Sequence, residues 1–467
     1  MEHHTSDCMN PGMDKNSKGD AMKFVIIGGD AAGMSAASRA KRLLPDMEIT
    51  VLEQTHDVSY SACGMPYNIA DPDRDMEKLV VRKAEVFIEK NKINLLTGHR
   101  ATAIDRKAKR VSGIKADGKT FRVDYDQLLI ATGAEPVIPD LPGFDLPQVM
   151  VLKSLEQGRQ VKAYIEQQKV KKAVIIGMGY IALEMCEAFE KRGVKTSMVK
   201  PGPVFLPWLT RDLADFIYEE IVQMGVDIHP GHVIQKIEPF NTGVRVICED
   251  LTLDADLVLV ASGVKPCSGI AKTAGLDPGI SDAIAVDKFL KTSDTDIYAA
   301  GDCADAYHIV TGQTCWIPLA LRANRAGWAV ADSICGSPTS LPGVAGTSVF
   351  KVFSLEVARS GLNFKEALDS GFSPVENFVQ TRSRAHGHPG STPIYINMVA
   401  DSKTGRLLGA QMLGKEGVAH RINSIAVALH CKMTVDVFFQ TDLAYAPLFS
   451  PVWDPLLTAA SQLAKKI

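Results

Sequence analysis

The sequence lacks the features typical of membrane and nucleic-acid-binding proteins. It has no run of about 18 apolar residues, because glycines and charges interrupt even its most apolar stretches, such as KAVIIGMGYIALEM. Its 51 lysines and arginines are balanced by 54 aspartates and glutamates, which leaves a formal net charge of −3. There is no basic excess to neutralise the phosphates of a nucleic acid. We therefore expect neither a membrane nor a nucleic acid as a partner.

Paired cysteines are also absent from the sequence. Its nine cysteines form no Cys-x-x-Cys pair and no Cys/His metal spacing, a pattern that favours reduced thiols over a disulfide framework or a metal site. The first 21 residues lack the apolar core of a signal peptide and predict a disordered extension. These absences predict a cytoplasmic protein.

A glycine turn between two apolar runs marks the first recognisable unit. KFVIIGGDAAGMSAASRAKRLLPDMEITVLE has the pattern of a strand, a turn, a helix of small residues and a second strand, which is typical of dinucleotide-binding βαβ units. Gly28 allows the tight turn, Gly33 lets the helix pack closely, and Glu53 stands where a carboxylate binds ribose hydroxyls. Asp30 replaces the middle glycine of the G-x-G-x-x-G motif.

A second copy of this unit spans residues 171–200, with Gly177 and Gly179 in place and Ala182 at the third position. The chain is therefore predicted to bind two dinucleotides. Lys200 occupies the position that Glu53 has in the first copy. It either faces a 2′-phosphate on the nucleotide ribose or points to solvent, and the sequence favours neither.

Three further apolar strands end in glycine, within YDQLLIATGAEP, ADLVLVASGVKP and TSDTDIYAAGDCAD. Together with the two glycine turns, in this order, they resemble the two-dinucleotide flavoprotein disulfide reductases over residues 22–467. The resemblance implies an α/β fold with two Rossmann-like domains, one for FAD and one for NAD(P)H, and an α+β C-terminal domain that forms a homodimer. It implies an FAD domain of residues 22–145 and 271–340, an NAD(P)H domain of residues 146–270 and a dimerisation domain of residues 341–467.

The resemblance also implies which residues contact the cofactors, with Asp302 matching the aspartate that holds the ribityl chain of the flavin. The FAD contacts are Gly28, Gly29, Ala32, Gly33, Glu53, Gln54, Ala131, Thr132, Gly133 and Asp302. The NAD(P)H contacts are Gly177, Gly179, Tyr180, Ile181, Glu184, Lys200 and Gly263.

SYSACGMPY, which contains Cys63, resembles the single-cysteine branch of this family, whose second sulfur comes from the substrate. In the resembling enzymes a thiolate attacks a disulfide or persulfide and a mixed disulfide forms again. We expect the pKa of Cys63 to be lowered by a flavin and a helix N-terminus. The remaining cysteines of the folded chain are expected to be inert core residues: Cys186, Cys248, Cys267, Cys303, Cys315, Cys335 and Cys431.

Within this branch the chain is most similar to the coenzyme A disulfide and persulfide reductases. Peroxidases and many oxidases of the branch carry a histidine where this chain has Ala31. The resemblance implies Tyr445 as a proton donor that reaches the cysteine of the other subunit. It implies as substrate contacts Ser35, Arg39, Arg42, Ser59, Asn324 and Trp453.

Two features leave the substrate open. Arg39 and Arg42 suit the phosphates of coenzyme A, but basic residues on a helix are also common on a solvated face. Ser391 and Thr392 stand where several coenzyme A-linked relatives carry a tandem tyrosine. We expect a flavoprotein reductase of coenzyme A disulfide, persulfide or polysulfide, with FAD, NAD(P)H and coenzyme A as its candidate cofactors. An NADH oxidase and an electron carrier to a protein partner are the alternatives.

Overall fold

The computed structural model describes residues 21–467, so the disordered extension predicted for residues 1–21 lies, apart from Ala21, outside them. Strands β1 to β25 and helices α1 to α11 are numbered along the chain. Three five-stranded sheets dominate the structure. None of the helices within residues 21–467 has the length and apolarity needed to cross a membrane.

The first sheet is entirely parallel and has the strand order β18-β7-β1-β2-β3. Its strands are continuous apolar runs because both faces are covered, and α1 (Ala31–Leu43) packs against α7 (Ala320–Ile334) on one of them. The strands are β1 (Lys23–Ile27), β2 (Glu48–Leu52), β3 (Asn94–Leu96), β7 (Gln127–Ile130) and β18 (Ile297–Ala299). Beside them lie the antiparallel strands β4 (His99–Asp105), β5 (Arg110–Lys115) and β6 (Thr120–Asp124).

The second sheet repeats this arrangement with the order β12-β11-β10-β16-β9. Its strands are β9 (Val149–Val151), β10 (Lys172–Ile176), β11 (Lys195–Lys200), β12 (Asp227–Pro230) and β16 (Leu257–Val260). Its helices are α3 (Leu155–Gln167), α4 (Tyr180–Lys191) and α5 (Arg211–Gln223). The accompanying antiparallel strands are β13 (Ile234–Phe240), β14 (Gly243–Cys248) and β15 (Thr252–Ala255), and β8 (Ala134–Pro136) pairs with β17 (Val264–Pro266) between the two units. Both predicted Rossmann-like units are confirmed.

The third sheet is antiparallel, with the order β21-β22-β25-β24-β23. Many of its apolar residues form a core with the C-terminal helices, while others, including Phe350, Val352 and Val357, join the core of the second unit. Its strands are β21 (Ser348–Val352), β22 (Leu355–Gly361), β23 (Pro374–Arg382), β24 (Pro393–Asp401) and β25 (Leu407–Gly414). Its helices are α8 (Phe364–Asp369), α9 (Val418–His430), α10 (Val435–Phe439) and α11 (Pro455–Ala464). The short elements elsewhere are α2 (Met65–Ile69), α6 (Gly269–Thr273), β19 (Ala306–Tyr307) and β20 (Thr314–Cys315).

The two glycine turns have the same local geometry. Gly28 and Gly177 have φ values of +112° and +123°, which side chains rarely adopt. A Cβ atom would stand 2.1 Å from the Ala131 carbonyl oxygen at Gly28 and 2.2 Å from that of Ala261 at Gly177. Each turn therefore touches the exit of the neighbouring strand. Gly179 differs, because a Cβ atom there would meet nothing within 4 Å.

This contrast predicts opposite effects of one methyl group at two nearby positions. Gly177→Ala should lower the free energy of unfolding by about 3 kcal/mol or more, because it combines backbone strain with a clash against a carbonyl. Gly179→Ala should change it by no more than about 1 kcal/mol. Urea denaturation of both variants measures this difference, and equal losses would contradict the described turn.

Candidate active site

A cleft of about 780 Å³ opens at the carboxyl ends of the first sheet. In open α/β sheets this edge is where ligands bind. Gly33 is not among the residues that line the cleft. It packs against the Gly28 carbonyl, and a Cβ atom at Gly33 would stand 1.9 Å from that oxygen. The other residues predicted to contact FAD line the cleft: Gly28, Gly29, Ala32, Glu53, Gln54, Ala131, Thr132, Gly133 and Asp302.

The carboxylate of Glu53 is buried and held in place by its own turn. One oxygen accepts the Gly29 N–H at 2.7 Å. The other accepts the backbone N–H and the hydroxyl of Thr55, both at 2.8 Å. A carboxylate has about four acceptor positions, so the first oxygen keeps one free for a further donor.

Two further charged groups of the cleft form an ion pair that the sequence did not predict. The ammonium of Lys153, two residues after β9, lies 3.1 Å from a carboxylate oxygen of Asp302. The indole N–H of Trp316 donates to the Asp302 carbonyl at 2.8 Å. Lys153 therefore holds the side chain of Asp302, and Trp316 holds its backbone. No local motif around Lys153 indicates this ion pair in the sequence.

Asp30, at the start of α1, carries a carboxylate within the same cleft. Burial is the main cause that raises its pKa from 3.8 to about 6, helped by the carboxylates of Glu53 and Asp302, while a backbone hydrogen bond at Tyr60 and the charge of Lys153 oppose the rise. Near neutral pH the Asp30 carboxylate is therefore ionised in the folded state, and its desolvation lowers the free energy of unfolding.

Cys63 lies on the segment of residues 57–80, here called the redox segment, which borders the cleft through Tyr60 and Ala62. Ser59 enters it with φ of +50°, a left-handed conformation that is uncommon for serine. A 3₁₀ turn, Ala62–Gly64, carries the cysteine directly into α2. The bend at Ser59 and this turn bring Cys63 beside the cleft.

The protein's own groups raise the pKa of Cys63, so the expected lowering is wrong for the polypeptide. The residue is exposed, yet surrounding protein atoms partly desolvate the thiol, and the carboxylate of Glu184 adds to this effect. The carboxylates of Asp302 and Asp30 act in the same direction, and Lys153 opposes them. Desolvation and three negative charges outweigh one ammonium.

Residues of the second glycine turn approach the redox segment. The Tyr67 hydroxyl, four residues after Cys63, donates to the Glu184 carboxylate of α4 at 2.8 Å. Glu184 was predicted to contact NAD(P)H, and the contact with Tyr67 was not predicted. Gly263 has φ of +110° and, like Gly179, open space at its Cβ position. Helix α4, which begins directly after the second glycine turn, thus comes close to the redox segment and its thiol.

The remaining residues predicted for NAD(P)H surround this turn. Tyr180 begins α4 and packs against Trp208 in a tilted arrangement and edge-on against Phe350, with ring centroids 4.9 Å apart in each pair. Ile181 is half-buried against the adjoining core. The Lys200 ammonium donates to the Val204 carbonyl at 2.8 Å, and burial lowers its pKa.

The predicted substrate residues of α1 and α7 meet each other. The Ser35 hydroxyl donates to the Asn324 side-chain oxygen at 2.7 Å. The Arg39 guanidinium binds both carboxylate oxygens of Asp332, at 2.5 and 2.9 Å, and lies 5.3 Å from the Trp328 ring centroid. Arg42 is exposed in the last turn of α1.

The C-terminal candidates lie apart from this group. Tyr445 and Trp453 are half or more exposed, and Trp453 stacks on Phe439 with ring centroids 5.7 Å apart. No hydrogen bond among residues 21–467 joins Tyr445 to the redox segment of the same chain. Nearby, the side chains of Ser391 and Arg382 bind each other at 3.0 Å.

The expectation that the other cysteines are core residues is only partly confirmed. All eight cysteines within residues 21–467 are free. Cys186, Cys248 and Cys303 are buried, but Cys431 is exposed, because it follows the last residue of α9 and continues into a surface turn. The half-buried ones are Cys267, Cys315 and Cys335.

The raised pKa of Asp30 predicts a pH-dependent gain from Asp30→Asn. Between pH 3.8 and about 6 the folded state keeps a proton that the unfolded state has lost, so wild-type stability falls as the pH rises through this window. The variant should therefore match wild type near pH 4 and exceed it above pH 7 by at most about 3 kcal/mol. Urea denaturation of flavin-free protein at several pH values measures the gain, and a gain that does not vary with pH would contradict it.

Comparison with known proteins agrees with this geometry. A family model described as pyridine nucleotide-disulphide oxidoreductase matches residues 22–327, and one described as its dimerisation domain matches residues 347–456. The chain is 38% identical over 444 residues to the NAD(P)H sulfur oxidoreductase (CoA-dependent) of Pyrococcus furiosus, covering 94% of this chain and 99% of that protein.

Two other similar proteins carry names of different activities, an oxidase and a persulfide reductase. An NADH oxidase of Methanocaldococcus jannaschii is 31% identical over 447 residues, covering 96% of this chain and 99% of that protein. The structure of an NAD-dependent persulfide reductase from A. fulgidus superimposes with a TM-score of 0.91 at 34% identity, covering 95% of this chain and 83% of the other. The chain therefore belongs to the pyridine nucleotide-disulphide oxidoreductases, a family that uses FAD and NAD(P)H.

Proposed function

We propose that the chain is a reductase that uses NAD(P)H to reduce disulfides, persulfides or polysulfides linked to coenzyme A, through the single thiol of Cys63. The position of Cys63 carries the proposal. Its segment borders the cleft of the first unit through Tyr60 and Ala62, the charge of Glu184 from the second unit acts on its thiol, and it is the only cysteine of the redox segment. A lone thiol between two dinucleotide units suits a reaction in which the substrate supplies the second sulfur.

The cleft fits FAD in size and in its donors and acceptors. Its volume of about 780 Å³ lies within the range of cofactor pockets, and Gly133 leaves open space where a side chain would intrude. The free acceptor on Glu53 suits a ribose hydroxyl, and the start of α1 suits a pyrophosphate. Bound FAD would supply a two-electron relay between NAD(P)H and the thiol.

The reaction balances as thiol–disulfide exchange followed by reduction. The Cys63 thiolate attacks one sulfur of the disulfide, a bond forms between the two sulfurs, and the other thiolate leaves. Two electrons from NAD(P)H and one proton then cleave this mixed disulfide into a free thiol and the Cys63 thiolate. With a persulfide substrate the thiolate attacks the sulfur bonded to carbon, the sulfur–sulfur bond breaks, and the terminal sulfur leaves as hydrosulfide. The resulting mixed disulfide is reduced as before.

Recognition of coenzyme A is assigned to α1 and α7. Ser35 and Asn324 form a polar pair on these helices, and the guanidinium groups of Arg39 and Arg42 suit phosphate oxygens. The CoA-dependent relative from P. furiosus supports this substrate class.

Lys200 is assigned to the ribose of the nicotinamide nucleotide. There its ammonium would favour the 2′-phosphate of NADPH once its hydrogen bond to the Val204 carbonyl is broken.

A homodimer is proposed from the match to a dimerisation domain. The segment of residues 442–453 carries Tyr445 and Trp453 and exposes a row of large apolar side chains, which include Leu448, Phe449 and Val452. Burying such a row against a second copy would remove apolar surface from water. Tyr445 would then serve the Cys63 of the other subunit.

Replacement of Cys63 tests the proposed reaction. Cys63→Ser should lower NAD(P)H-dependent release of free thiol from coenzyme A disulfide by at least about a hundredfold, roughly 2.7 kcal/mol, because serine cannot form the mixed disulfide. Reduction of ferricyanide, which needs no thiol, should stay within twofold. Cys431→Ser, at another exposed cysteine, is the matched control and should keep both activities.

The same measurements separate the alternatives. An electron carrier would keep all of its activities in Cys63→Ser. An NADH oxidase would consume oxygen faster than it reduces coenzyme A disulfide, and this result would refute the proposed substrate.

A mixed dimer tests whether the active site is shared. When Cys63→Ser and Tyr445→Phe subunits are combined, a shared arrangement places both lesions in one site and leaves the other intact. The purified heterodimer should keep about half of the wild-type disulfide reduction, since the two sites of a two-fold dimer are equivalent. A site built within one chain would instead give the average of the two mutant homodimers. The comparison requires that Tyr445→Phe alone costs at least tenfold, roughly 1.4 kcal/mol.

A further inference from the structure

Helix α3, from the second unit, packs against the redox segment of the first. Gly158 of α3 comes so close to it that a Cβ atom would stand 3.0 Å from the sulfur of Met65, the first residue of α2. Arg192, which follows α4, donates to the Ile69 carbonyl at 3.1 Å. The element that follows Cys63 is thus held from outside its own unit.

Arg159 on α3 joins the two ends of the redox segment. Its guanidinium binds both carboxylate oxygens of Asp57, at 2.7 and 2.8 Å. It also contacts Glu77, at 2.8 and 2.6 Å. Asp57 precedes Cys63 and Glu77 follows it, so one planar cation spans the segment that carries the thiol. Bidentate pairs of this kind fix geometry as well as charge.

Lys162, nearly one helical turn further along α3, lies inside the turn that follows α2. Its ammonium donates to the Asn68 carbonyl at 3.2 Å, the Asn68 side-chain oxygen at 3.1 Å and the Asp71 carbonyl at 2.8 Å. It also donates to the Arg74 carbonyl. All four acceptors are neutral, and Lys162 is buried with 9% of its surface exposed.

An ammonium buried without a carboxylate is costly unless its donors are satisfied. Here the carbonyl dipoles of one turn surround it, so the turn and the ammonium hold each other in place. Burial lowers the pKa of Lys162, and the carboxylates of Glu166, Asp71 and Asp75 oppose this shift only in part. An apolar side chain at this place would leave these four oxygens, which come from Asn68, Asp71 and Arg74, without their common donor.

We propose that Arg159 and Lys162 are positioning residues for Cys63: the two cations of α3 fix the redox segment and thereby the place of its thiol. The proposal rests on the proposed function of Cys63 as the redox thiol. A shift of about 1 Å in a reacting group can cost a hundredfold in rate. Loss of either cation should therefore affect the reactions of Cys63 and spare electron transfer that bypasses it.

The test compares two activities of the flavin-loaded Lys162→Met variant. Its turnover of coenzyme A disulfide should fall at least tenfold in kcat, and its reduction of ferricyanide by NAD(P)H should stay within twofold of wild type. The pH profile of Cys63 alkylation by iodoacetamide should shift as well. Lys365→Met is the matched control, because Lys365 pairs with Asp369 on the exposed face of α8, and it should change none of the three.

A parallel fall of both activities would show a merely structural role and overturn the proposal, as would unchanged disulfide turnover. If Lys162→Met does not fold, Arg159→Gln decides, since Arg159 is partly exposed and its loss leaves the buried turn intact. Arg159→Gln should separate the two activities in the same direction, and an equal response of both would refute the positioning role. Alkylation reports on Cys63 whatever the substrate is, so its shift distinguishes a wrong substrate from a wrong positioning role.

Discussion

Contact between backbone atoms at two glycine turns is the constraint on which the rest of the site depends. At Gly28 and Gly177 the turn after the first strand of each unit touches the carbonyl at the end of the next strand over, Ala131 in one unit and Ala261 in the other. No side chain fits between them. This contact brings the helix start, the glycine exits and the end of the second strand, which carries Glu53 in one unit and Lys200 in the other, to one edge of each sheet. The cleft that results is a property of the backbone, and the side chains only refine it.

The two units are less independent than their repeated pattern indicates. The redox segment belongs to the first unit in sequence, but its ionic and hydrogen-bonding partners Arg159, Lys162 and Glu184 belong to the second. Glu184 also raises the pKa of Cys63. A thiolate with a higher pKa is present in a smaller fraction but is a stronger nucleophile. The second unit therefore holds the segment that carries the thiol and, after desolvation, contributes to the proton affinity of that thiol.

Which features of the fold and the site could be predicted depends on how far apart the interacting residues lie in the sequence. The strands around both glycine turns, the turns themselves and Glu53 were predicted, because a pattern of about thirty neighbouring residues marks each of them. The contacts of Lys162 and Arg159 could not be predicted, since their partners in the redox segment lie 82 to 102 residues away and no motif marks a lysine that will be surrounded by carbonyls. The expected lowering of the Cys63 pKa was wrong for the polypeptide, because desolvation and the charge of Glu184, which lies on α4, raise this pKa instead. Family resemblance supplied Ser35 and Asn324 separately, but not the hydrogen bond between them.

Arg39 and Arg42 have different roles in the proposed substrate surface. Asp332 takes two of the five N–H donors of Arg39 and Trp328 lies beside the same guanidinium, so Arg39 is already ordered and needs to lose little freedom on binding. The same carboxylate also cancels most of its charge at a distance. Arg42, exposed at the end of α1, has more freedom and suits the attraction of a phosphate from solution. Orientation and attraction are thus assigned to different side chains, since one guanidinium fixed by a carboxylate cannot supply both.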